Sequence, residues 1–494
     1  MRTTPGSLLR LLSALAAAAL TALAACGGNN NGEQVSGACT TAAENSAVLN
    51  TANDWYLYQD LVPSSSTYQL LVQQKTVSAF APSSSYSSSQ DLLDAFTAAA
   101  RAEQKDRYWS FLITAQQAQQ YFQSGQSAGF GMGLLLPATG PSAGHLMISQ
   151  VMRGSPAEGA GFQRGDELLA IGPTAGSMTA VSTLLQTSGG VSAAVAAGTP
   201  GTVRWFSVLP LGQTAAVTRS MASADYDLDP VVSGTVQSPG GRTVGYVHLR
   251  TFVATAEDRL RTAFAAFKQA GIADVVVDVR YNGGGLLQTA QVLGSLLHPT
   301  AGELMYKGQY NSRHPGSNWS ASFAAEANRL GAVGRVAFIT TGGSASASEL
   351  VPNALAAYLG TSLAVVGDRS YGKPVGQESF SLGSCQDQLY LISFQLQNKD
   401  GFGGYYGGLP DAAGGFLGTS CVAADDLTHA QGDAAEASTA QALAFIDGTP
   451  CTAITPASTT ALAGTSRLSV ASPTAIYPRP ERPSPAQLEM PGLF

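Results

Sequence analysis

Three serines occupy alternate positions in the stretch TTGGSASASELVPNALAA, residues 340–357. Ser344, Ser346 and Ser348 follow the apolar run RVAFI and precede a segment of helical spacing. A serine at a strand-to-helix turn is suited to attack a carbonyl carbon, because the free N–H groups at the helix start stabilise the negative charge that develops. The same stretch also fits a helix cap, in which Ser346 and Glu349 form a capping box. Taken alone, it is compatible with a nucleophile or with a cap.

Lys373 lies in a second turn, which adds a proton acceptor. It stands between Gly372 and Pro374 and follows the apolar run LAVVGD, a pattern typical of a buried strand. Burial lowers the pKa of a lysine, because an apolar environment disfavours the charged ammonium. A neutral lysine accepts the proton of a serine hydroxyl, and Gln377 is placed to orient the amine by hydrogen bonding. These residues predict nucleophilic catalysis that needs neither a histidine nor a metal.

A run of three glycines ends another apolar segment. In the stretch DVVVDVRYNGGGLLQTA, a buried-strand pattern ends at Arg280 and Asn282, and residues 283–285 are all glycine. Glycine lets the main chain approach a ligand closely, so this turn is suited to supply a second N–H donor to an oxyanion.

The elements that must carry these turns form an alternating pattern. From residue 243 to about residue 380, strand-like apolar runs alternate with segments of helical spacing, which predicts an α/β domain with a largely buried sheet. The segments before it are first helical in pattern and then rich in short β-branched runs. The predicted boundaries are a signal peptide at 1–25, a tether at 26–45, a helical domain at 46–125, a β-rich module at 126–222, a catalytic core at 223–450 and a Pro-rich, extended or disordered tail at 451–494.

Composition limits the possible partners and cofactors. The chain has 494 residues, 12% charged residues and a formal net charge of −7, without a basic block. The length predicts about two or three domains, and the charge argues against nucleic acid as a partner. No CxxC pair and no His/Cys spacing indicates a metal site, so we expect no cofactor.

The N-terminus has the pattern of an export signal. Arg2 and Arg10 flank the start of the stretch LLSALAAAALTALAA, which has the length of a signal peptide and is short for a membrane span. The following LAAC resembles the lipobox of bacterial lipoproteins, in which the cysteine, here Cys26, is lipidated. Gly27 resembles the form sorted to the outer membrane. We therefore expect a lipid anchor on the periplasmic side of the bacterial envelope, the alternative being an ordinary signal peptide with a chance cysteine.

Four further cysteines predict two disulfides in an exported protein. They are Cys39, Cys385, Cys421 and Cys451, and they allow three connectivities. We favour Cys385–Cys421 with Cys39–Cys451, because the first pair would bracket the Gly-rich segment NKDGFGGYYGGLPDAAGG.

The three turns, taken in order, resemble those of a known family. The motifs DVRYNGGGLL, GGSASASEL and GDRSYGKPVGQ are similar to those of the C-terminal-processing, or tail-specific, serine peptidases. The stretches GFGMGLLL and GSPAEGAGFQRGDELLAI resemble a bacterial PDZ module, and the whole likeness covers about half of the chain. It implies a multidomain α+β fold with an N-terminal helical cap, a β-rich PDZ module and an α/β serine protease core of the ClpP/crotonase type.

The resemblance also assigns roles to residues. It implies that Ser346 is the nucleophile, that Lys373 is the general base and that Gln377 assists it. The N–H groups of Ala347 and Gly284 would form the oxyanion hole.

Two features depart from the family pattern. The segment between Ser346 and Lys373 is slightly longer than is usual, and counting back from Lys373 at the usual length selects Ser348. We keep Ser346 because the match around Glu349 holds residue by residue. Pro374 also stands where the family commonly has glycine.

The PDZ-like loop implies a class of partner. Gly131, Met132, Gly133 and Leu134 would bind the terminal carboxylate of a peptide that adds to the module as a strand. The expected function is a serine endopeptidase acting on proteins or peptides with apolar C-termini, with an adaptor or an oligomer as a further possible partner. The alternatives are a non-catalytic PDZ scaffold that binds peptides and a structural envelope lipoprotein.

Overall fold

The structure is a computed structural model that describes residues 38–197, 199–411, 415–455, 467–472 and 474–494. The predicted signal peptide, the predicted lipidation site at Cys26 and most of the predicted tether lie outside these residues. Within the described ranges, no helix has the length and apolar character that a membrane span requires.

Short helices form the N-terminal region. Three of them are capped by Thr40, Ser65 and Ser88, whose side chains each accept a hydrogen bond from the main-chain N–H three residues later. Their apolar sides meet in a core in which Leu92 and Phe96 are fully buried. The elements are α1 (Thr41–Trp55), α2 (Ser66–Gln73), α3 (Ser89–Phe96), α4 (Ala98–Ala102), β1 (Phe111–Thr114) and α5 (Ala115–Ala118).

The β-rich module follows and has a core of its own. Phe130 and Phe206 are fully buried in it, and their rings meet edge to face. Its strands and helices are β2 (Gln126–Gly129), β3 (Met132–Pro137), β4 (Met147–Val151), α6 (Pro156–Gly159), β5 (Glu167–Gly172), β6 (Thr179–Ala180), α7 (Val181–Leu184), α8 (Gly190–Val195), β7 (Val203–Leu209) and β8 (Val217–Ala222). Strand β9 (Ala224–Asp227) pairs with β2 and leads into the next domain.

A six-stranded sheet with helices on both faces forms the centre of the large domain. Its order is β10-β11-β12-β15-β16-β19, and every pair from β11 to β19 is parallel. The domain contains β10 (Val231–Gln237), β11 (Thr243–Leu249), α9 (Ala254–Gln269), β12 (Val275–Asp278), α10 (Leu287–Leu296), β13 (Leu304–Tyr310), β14 (Trp319–Ser322), β15 (Val336–Thr340), α11 (Ala347–Leu359), β16 (Leu363–Gly367), β17 (Val375–Ser381), β18 (Asp387–Asn398), β19 (Thr419–Val422) and α12 (Ala437–Ile446).

Burial on both faces explains the continuous apolar runs of the central strands. Val275 and Val277 pack in the cluster that holds α9, α10 and α11, whereas Val276 packs in the cluster that holds α12. Because neighbouring parallel strands end at the same edge of a sheet, the turns after β12 and β15 lie side by side. This is the multidomain α+β architecture that the sequence predicts.

A second, antiparallel sheet carries the lysine turn. Its order is β1-β18-β13-β14, with β17 also pairing with β18. The N-terminal region is joined to the large domain through β1, and Lys373 lies just before β17.

The Pro-rich tail is structured in the described part, where we expected an extended or disordered segment. It contains β20 (Ser469–Ala471), β21 (Ala475–Pro478) and α13 (Pro485–Glu489). Strand β21 pairs with β3 of the β-rich module, and the apolar residues Met490, Leu493 and Phe494 are buried. Burial of these side chains offsets the entropy lost on ordering the chain, which the Pro-rich composition alone does not reveal.

The predicted disulfide pairing is wrong, although two bonds form. Cys39 is bonded to Cys385, and Cys421 is bonded to Cys451. Cys421 is buried within β19 beside the returning segment 451–454, and Cys385 lies beside the start of the helical region. The position of Cys385 and Cys421 on either side of the Gly-rich segment therefore did not predict the pairing, since tertiary packing decides which cysteines meet.

Candidate active site

Ser346 lies at the turn between β15 and α11 in an unusual conformation. Its φ of 56° and ψ of −114° fall where residues other than glycine are rarely found. Its N–H donates to Glu349 Oε2 at 2.9 Å. The residue is 7% exposed and lines a cleft at the surface of the domain, so the strained turn places it at the cleft wall.

The three alternating serines have different surroundings. Ser344 Oγ donates to the Val279 carbonyl at 2.7 Å, and Ser348 Oγ donates to the Asn282 carbonyl at 2.8 Å. Both side chains are buried and stabilise the fold. Ser346 is the member of the three that lines the cleft.

Lys373 is held by a chain of hydrogen bonds. Its Nζ donates to Gln377 Oε1 at 3.0 Å, and Gln377 Nε2 donates in turn to the Trp109 carbonyl at 2.6 Å. In the described part of the chain, no hydrogen bond joins Lys373 Nζ directly to Ser346 Oγ. The structure therefore brings Lys373 and Gln377 into contact, and Ser346 lines the same cleft as Gln377.

Burial increases the fraction of Lys373 that is in the neutral form, which can accept a proton. Its side chain is 6% exposed, and desolvation lowers its pKa. The carboxylates of Glu489, Asp106 and Glu349 raise the pKa again and offset part of this effect. The amine is neutral over a wider pH range than that of an exposed lysine.

Glu349 joins the serine turn to the lysine turn. One oxygen, Oε2, accepts from the N–H of Ser346 at 2.9 Å and from the N–H of Lys373 at 2.8 Å. The other, Oε1, accepts from the N–H of Gly372 at 2.6 Å and from the Ser370 hydroxyl. Burial raises the pKa of this carboxyl, and the donors act in the opposite direction. The sequence pointed to Glu349 only as a helix cap, so its bond to the second turn was missed.

The predicted oxyanion-hole residues are close to Ser346. A Cβ on Gly284 would lie 2.8 Å from the Ser346 Cβ, so only glycine fits there. The Gly284 N–H, however, donates to Asn282 Oδ1 at 3.0 Å. Among the residues that the structure describes, none accepts from the N–H of Ala347 or of Gly285, and Gly285 lines the cleft.

A side chain of the N-terminal region contacts the main chain of the lysine turn. The buried Arg107 side chain donates to the carbonyls of Tyr371 and Gly372, both at 2.8 Å, and its guanidinium lies over the Tyr371 ring at 3.9 Å. Sequence reasoning missed Arg107 and Trp109. They are far from the motifs along the chain, and no local pattern marks them.

The cleft has a volume of about 490 Å³ and is enclosed by several parts of the molecule. One wall comes from the N-terminal region, one from the glycine turn and one from β17 and β18. Its lining includes Ala118, Phe122, Gly285, Leu286, Ser346, Gln377, Tyr390 and Glu489. The lining combines apolar and polar groups.

The β-rich module also contacts the active-site region directly. Arg164 donates to the Tyr281 hydroxyl and to Asp425 Oδ1, both at 2.7 Å. Tyr281 directly precedes Asn282, whose carbonyl receives the Ser348 hydroxyl. One arginine therefore links the module to the base of the glycine turn.

The predicted carboxylate-binding loop is occupied by the chain itself. The N–H groups of Gly131 and Met132 donate to the main-chain oxygen of Phe494 at 2.6 and 3.1 Å. Gly133 pairs with Leu493, and the Leu134 N–H follows along the same edge. The four predicted residues thus form a strand edge along which residues 492–494 lie.

Comparison with known families matches three parts of the chain. Residues 243–403 match Peptidase family S41, residues 147–196 match a PDZ domain, and residues 43–111 match the Peptidase S41 N-terminal domain. The matched domains follow one another in the order that the sequence predicts.

Two proteins illustrate the likeness. A carboxyl-terminal-processing protease of Synechocystis is 29% identical over 155 residues, which are 31% of this chain and 34% of that protein. The match thus spans about a third of the length of that curated relative. A solved structure from Bacteroides fragilis, assigned to the S41 proteases, shares the fold with a TM-score of 0.60 and 22% identity, and the match covers 81% of this chain and 97% of that one.

Proposed function

Because the chain carries the domains of a C-terminal-processing peptidase with a PDZ domain, we propose that it is a serine endopeptidase that cleaves exported proteins. Ser346 is the nucleophile, Lys373 is the general base and Gln377 orients the amine. The observation that carries the proposal is the buried Lys373, whose amine is held by Gln377 and whose main-chain N–H is tied through Glu349 to the turn of a cleft-lining serine.

The first step forms an acyl-enzyme. Neutral Lys373 accepts the proton of Ser346 as Oγ attacks the substrate carbonyl carbon, and the resulting ammonium then donates the proton to the leaving amine. A water activated by Lys373 hydrolyses the ester and frees Ser346. The Lys373 amine must approach Ser346 for this transfer, and catalytic contacts commonly tighten when substrate binds.

Two main-chain N–H groups stabilise the oxyanion. Ala347 supplies the first, at the start of α11. For the second, we assign Gly285 in place of Gly284, because the Gly284 N–H already has Asn282 as its acceptor. Both N–H groups lie beside the turn of Ser346, as an oxyanion hole requires.

Substrate recognition is assigned to the PDZ domain. An apolar C-terminus adds as a strand to the edge of β3, and Gly131, Met132, Gly133 and Leu134 provide the main-chain partners. The reaction requires no metal or cofactor. Lipidation of Cys26 anchors the enzyme on the periplasmic side of the envelope, in the outer membrane, where an adaptor or a second copy is also expected to bind.

A peptide-binding scaffold is the second candidate. The observation that favours it is the lack of a direct hydrogen bond between Ser346 and Lys373 in the described part of the chain. A scaffold would bind apolar C-termini and leave them intact.

The test is cleavage of a disordered protein with an apolar C-terminus by the chain without its predicted signal peptide. Ser346→Ala should lower kcat by at least about 10³-fold, as expected for loss of a nucleophile. Ser348→Ala is the matched control and should retain activity within about tenfold, because its hydroxyl bonds only to the Asn282 carbonyl. Loss of activity only in Ser348→Ala would move the nucleophile, and intact substrate with every chain would favour the scaffold.

A further inference from the structure

The C-terminal segment binds the PDZ groove in the manner of a peptide ligand. Beyond the two N–H donors to its oxygen, Phe494 donates its own N–H to the Met132 carbonyl at 2.9 Å. The Leu134 N–H donates to the Gly492 carbonyl at 2.8 Å. Residues 492–494 therefore extend the sheet along β3 by strand addition.

The side chain of Phe494 provides the apolar anchor. It is 3% exposed and belongs to the core cluster of the PDZ domain, together with Phe130 and Phe206. Gly492 allows the approach, since its φ is +83° and a Cβ there would lie 2.1 Å from the Leu134 carbonyl oxygen. The groove thus accepts a large aromatic residue after a small residue and an apolar one.

The same segment reaches the candidate active site. Met490 and Leu493 pack in the core cluster of the peptidase domain, and the Glu489 carbonyl accepts from the N–H of Gly283 at 2.7 Å. The Glu489 side chain, 5% exposed, lines the cleft together with Ser346. One short segment therefore contacts the substrate groove and the glycine turn at once.

We infer that residues 484–494 are an intramolecular ligand of the PDZ groove that also holds Glu489 in the cleft, and that a protein with an apolar C-terminus ending in an aromatic residue displaces it. Displacement frees the β3 edge and withdraws a carboxylate and a main-chain contact from the glycine turn. The occupied form is the resting state, and substrate binding and cleft opening are one event. The binding part stands on the contacts above, whereas the effect on cleavage rests on the proposed function.

The test measures binding in chains that cannot cleave. A fluorescent peptide with the sequence of residues 485–494 is titrated, by anisotropy, into the chain carrying Ser346→Ala. The same titration uses chains that also carry Phe494→Asp, Gly492→Ala or, as a matched control on the exposed part of the tail, Glu481→Gln. Phe494→Asp removes the anchor, and Gly492→Ala expels the segment without altering the PDZ domain or Phe494.

A tethered ligand competes at an effective concentration on the order of millimolar, so removing it should lower the apparent Kd by at least about tenfold. We expect this gain for Phe494→Asp and for Gly492→Ala, and no change for Glu481→Gln. A labelled peptide that ends in Asp should bind none of the chains. Equal affinities in all four chains, or no binding by any of them, would overturn the inference and make the tail a permanent part of the fold.

A second measurement separates this inference from the proposed function. With Ser346 restored, Phe494→Asp and Gly492→Ala should raise kcat/KM about tenfold for a disordered protein that ends in Leu-Phe. Tighter peptide binding without cleavage by any chain would reject the peptidase and keep the intramolecular ligand. Cleavage by the unsubstituted chain together with equal peptide affinities would do the reverse.

Discussion

The PDZ groove and the Ser346 cleft are built in opposite ways. The groove is one strand edge, in which four consecutive residues, the first of them the positive-φ Gly131, supply the contacts. The cleft takes its parts from the N-terminal region, from two turns and the strands β17 and β18 of the peptidase domain, and from the C-terminal tail. A local motif therefore suffices to form the edge that holds the C-terminal segment, whereas the cleft depends on contacts between distant parts of the chain.

This difference indicates where each site is vulnerable. Substitutions in β3 or in the tail should alter peptide binding, and substitutions around Glu349 should alter the chemistry. Glu489 belongs to both, because it lies in the tail and lines the cleft. The following variants test whether the two sites separate in this way.

The largest effect is expected for Lys373→Ala. Loss of the general base should lower kcat by about 10³- to 10⁴-fold, while the Kd of the tail-sequence peptide stays within about twofold. Lys373→Arg should be equally inactive, because a guanidinium remains charged and does not accept a proton. The exposed Lys268→Ala is the control for turnover. An active Lys373→Arg chain would rule out the role as base.

A smaller effect is expected for Glu349→Gln. The amide keeps the shape but offers one acceptor oxygen to the four donors that the carboxylate receives, so both turns should shift. We expect kcat to fall about 10²-fold with little change in KM, as for a positioning residue. Glu257→Gln, another buried carboxylate, serves as control. Equal losses in both variants, following thermal stability, would reduce Glu349 to a purely structural role.

The smallest effect is expected for Glu489→Gln and appears in the pH profile. Three carboxylates raise the pKa of Lys373, namely Glu489, Asp106 and Glu349. Removing one of these charges lowers that pKa, so the neutral amine forms at lower pH. The acid limb of kcat/KM should move to lower pH by less than about one unit. Glu378→Gln, in the same cleft but bonded to Tyr310, should leave the limb in place. A limb that moves to higher pH would contradict the assigned sign.

Sequence reasoning was most successful where residue type and strand ends define the geometry. The alternation of apolar runs predicted the α/β domain, and Gly-Lys-Pro after a buried strand predicted a buried lysine near Gln377. It was least successful where the orientation of a side chain or the tertiary packing decides which groups meet. The occupation of the Gly284 N–H depends on how the Asn282 side chain turns back, which spacing does not reveal.

The tail illustrates the same limit more strongly. Its prolines are typical of an extended segment, and the docking of Phe494 depends on a strand edge that lies far away in the sequence. The disulfide prediction failed for a related reason, because proximity in sequence was taken as a guide to proximity in space.

The Cys39–Cys385 bond closes a covalent ring that contains most of the chain. The two cysteines are 346 positions apart, so the ring encloses the helical region, the PDZ domain and both Ser346 and Lys373. A single cut anywhere inside it leaves one covalent molecule to which Ser346 and Lys373 are both still attached. Residues 484–494 lie outside the ring, and a nick between Cys451 and Ser484 would sever the covalent link to the segment that fills the PDZ groove. Under oxidising conditions, a cut inside the ring therefore leaves Ser346 and Lys373 on one covalent molecule, whereas a cut outside both disulfide rings, at residues 386–420 or 452–483, separates the segment in the PDZ groove from them.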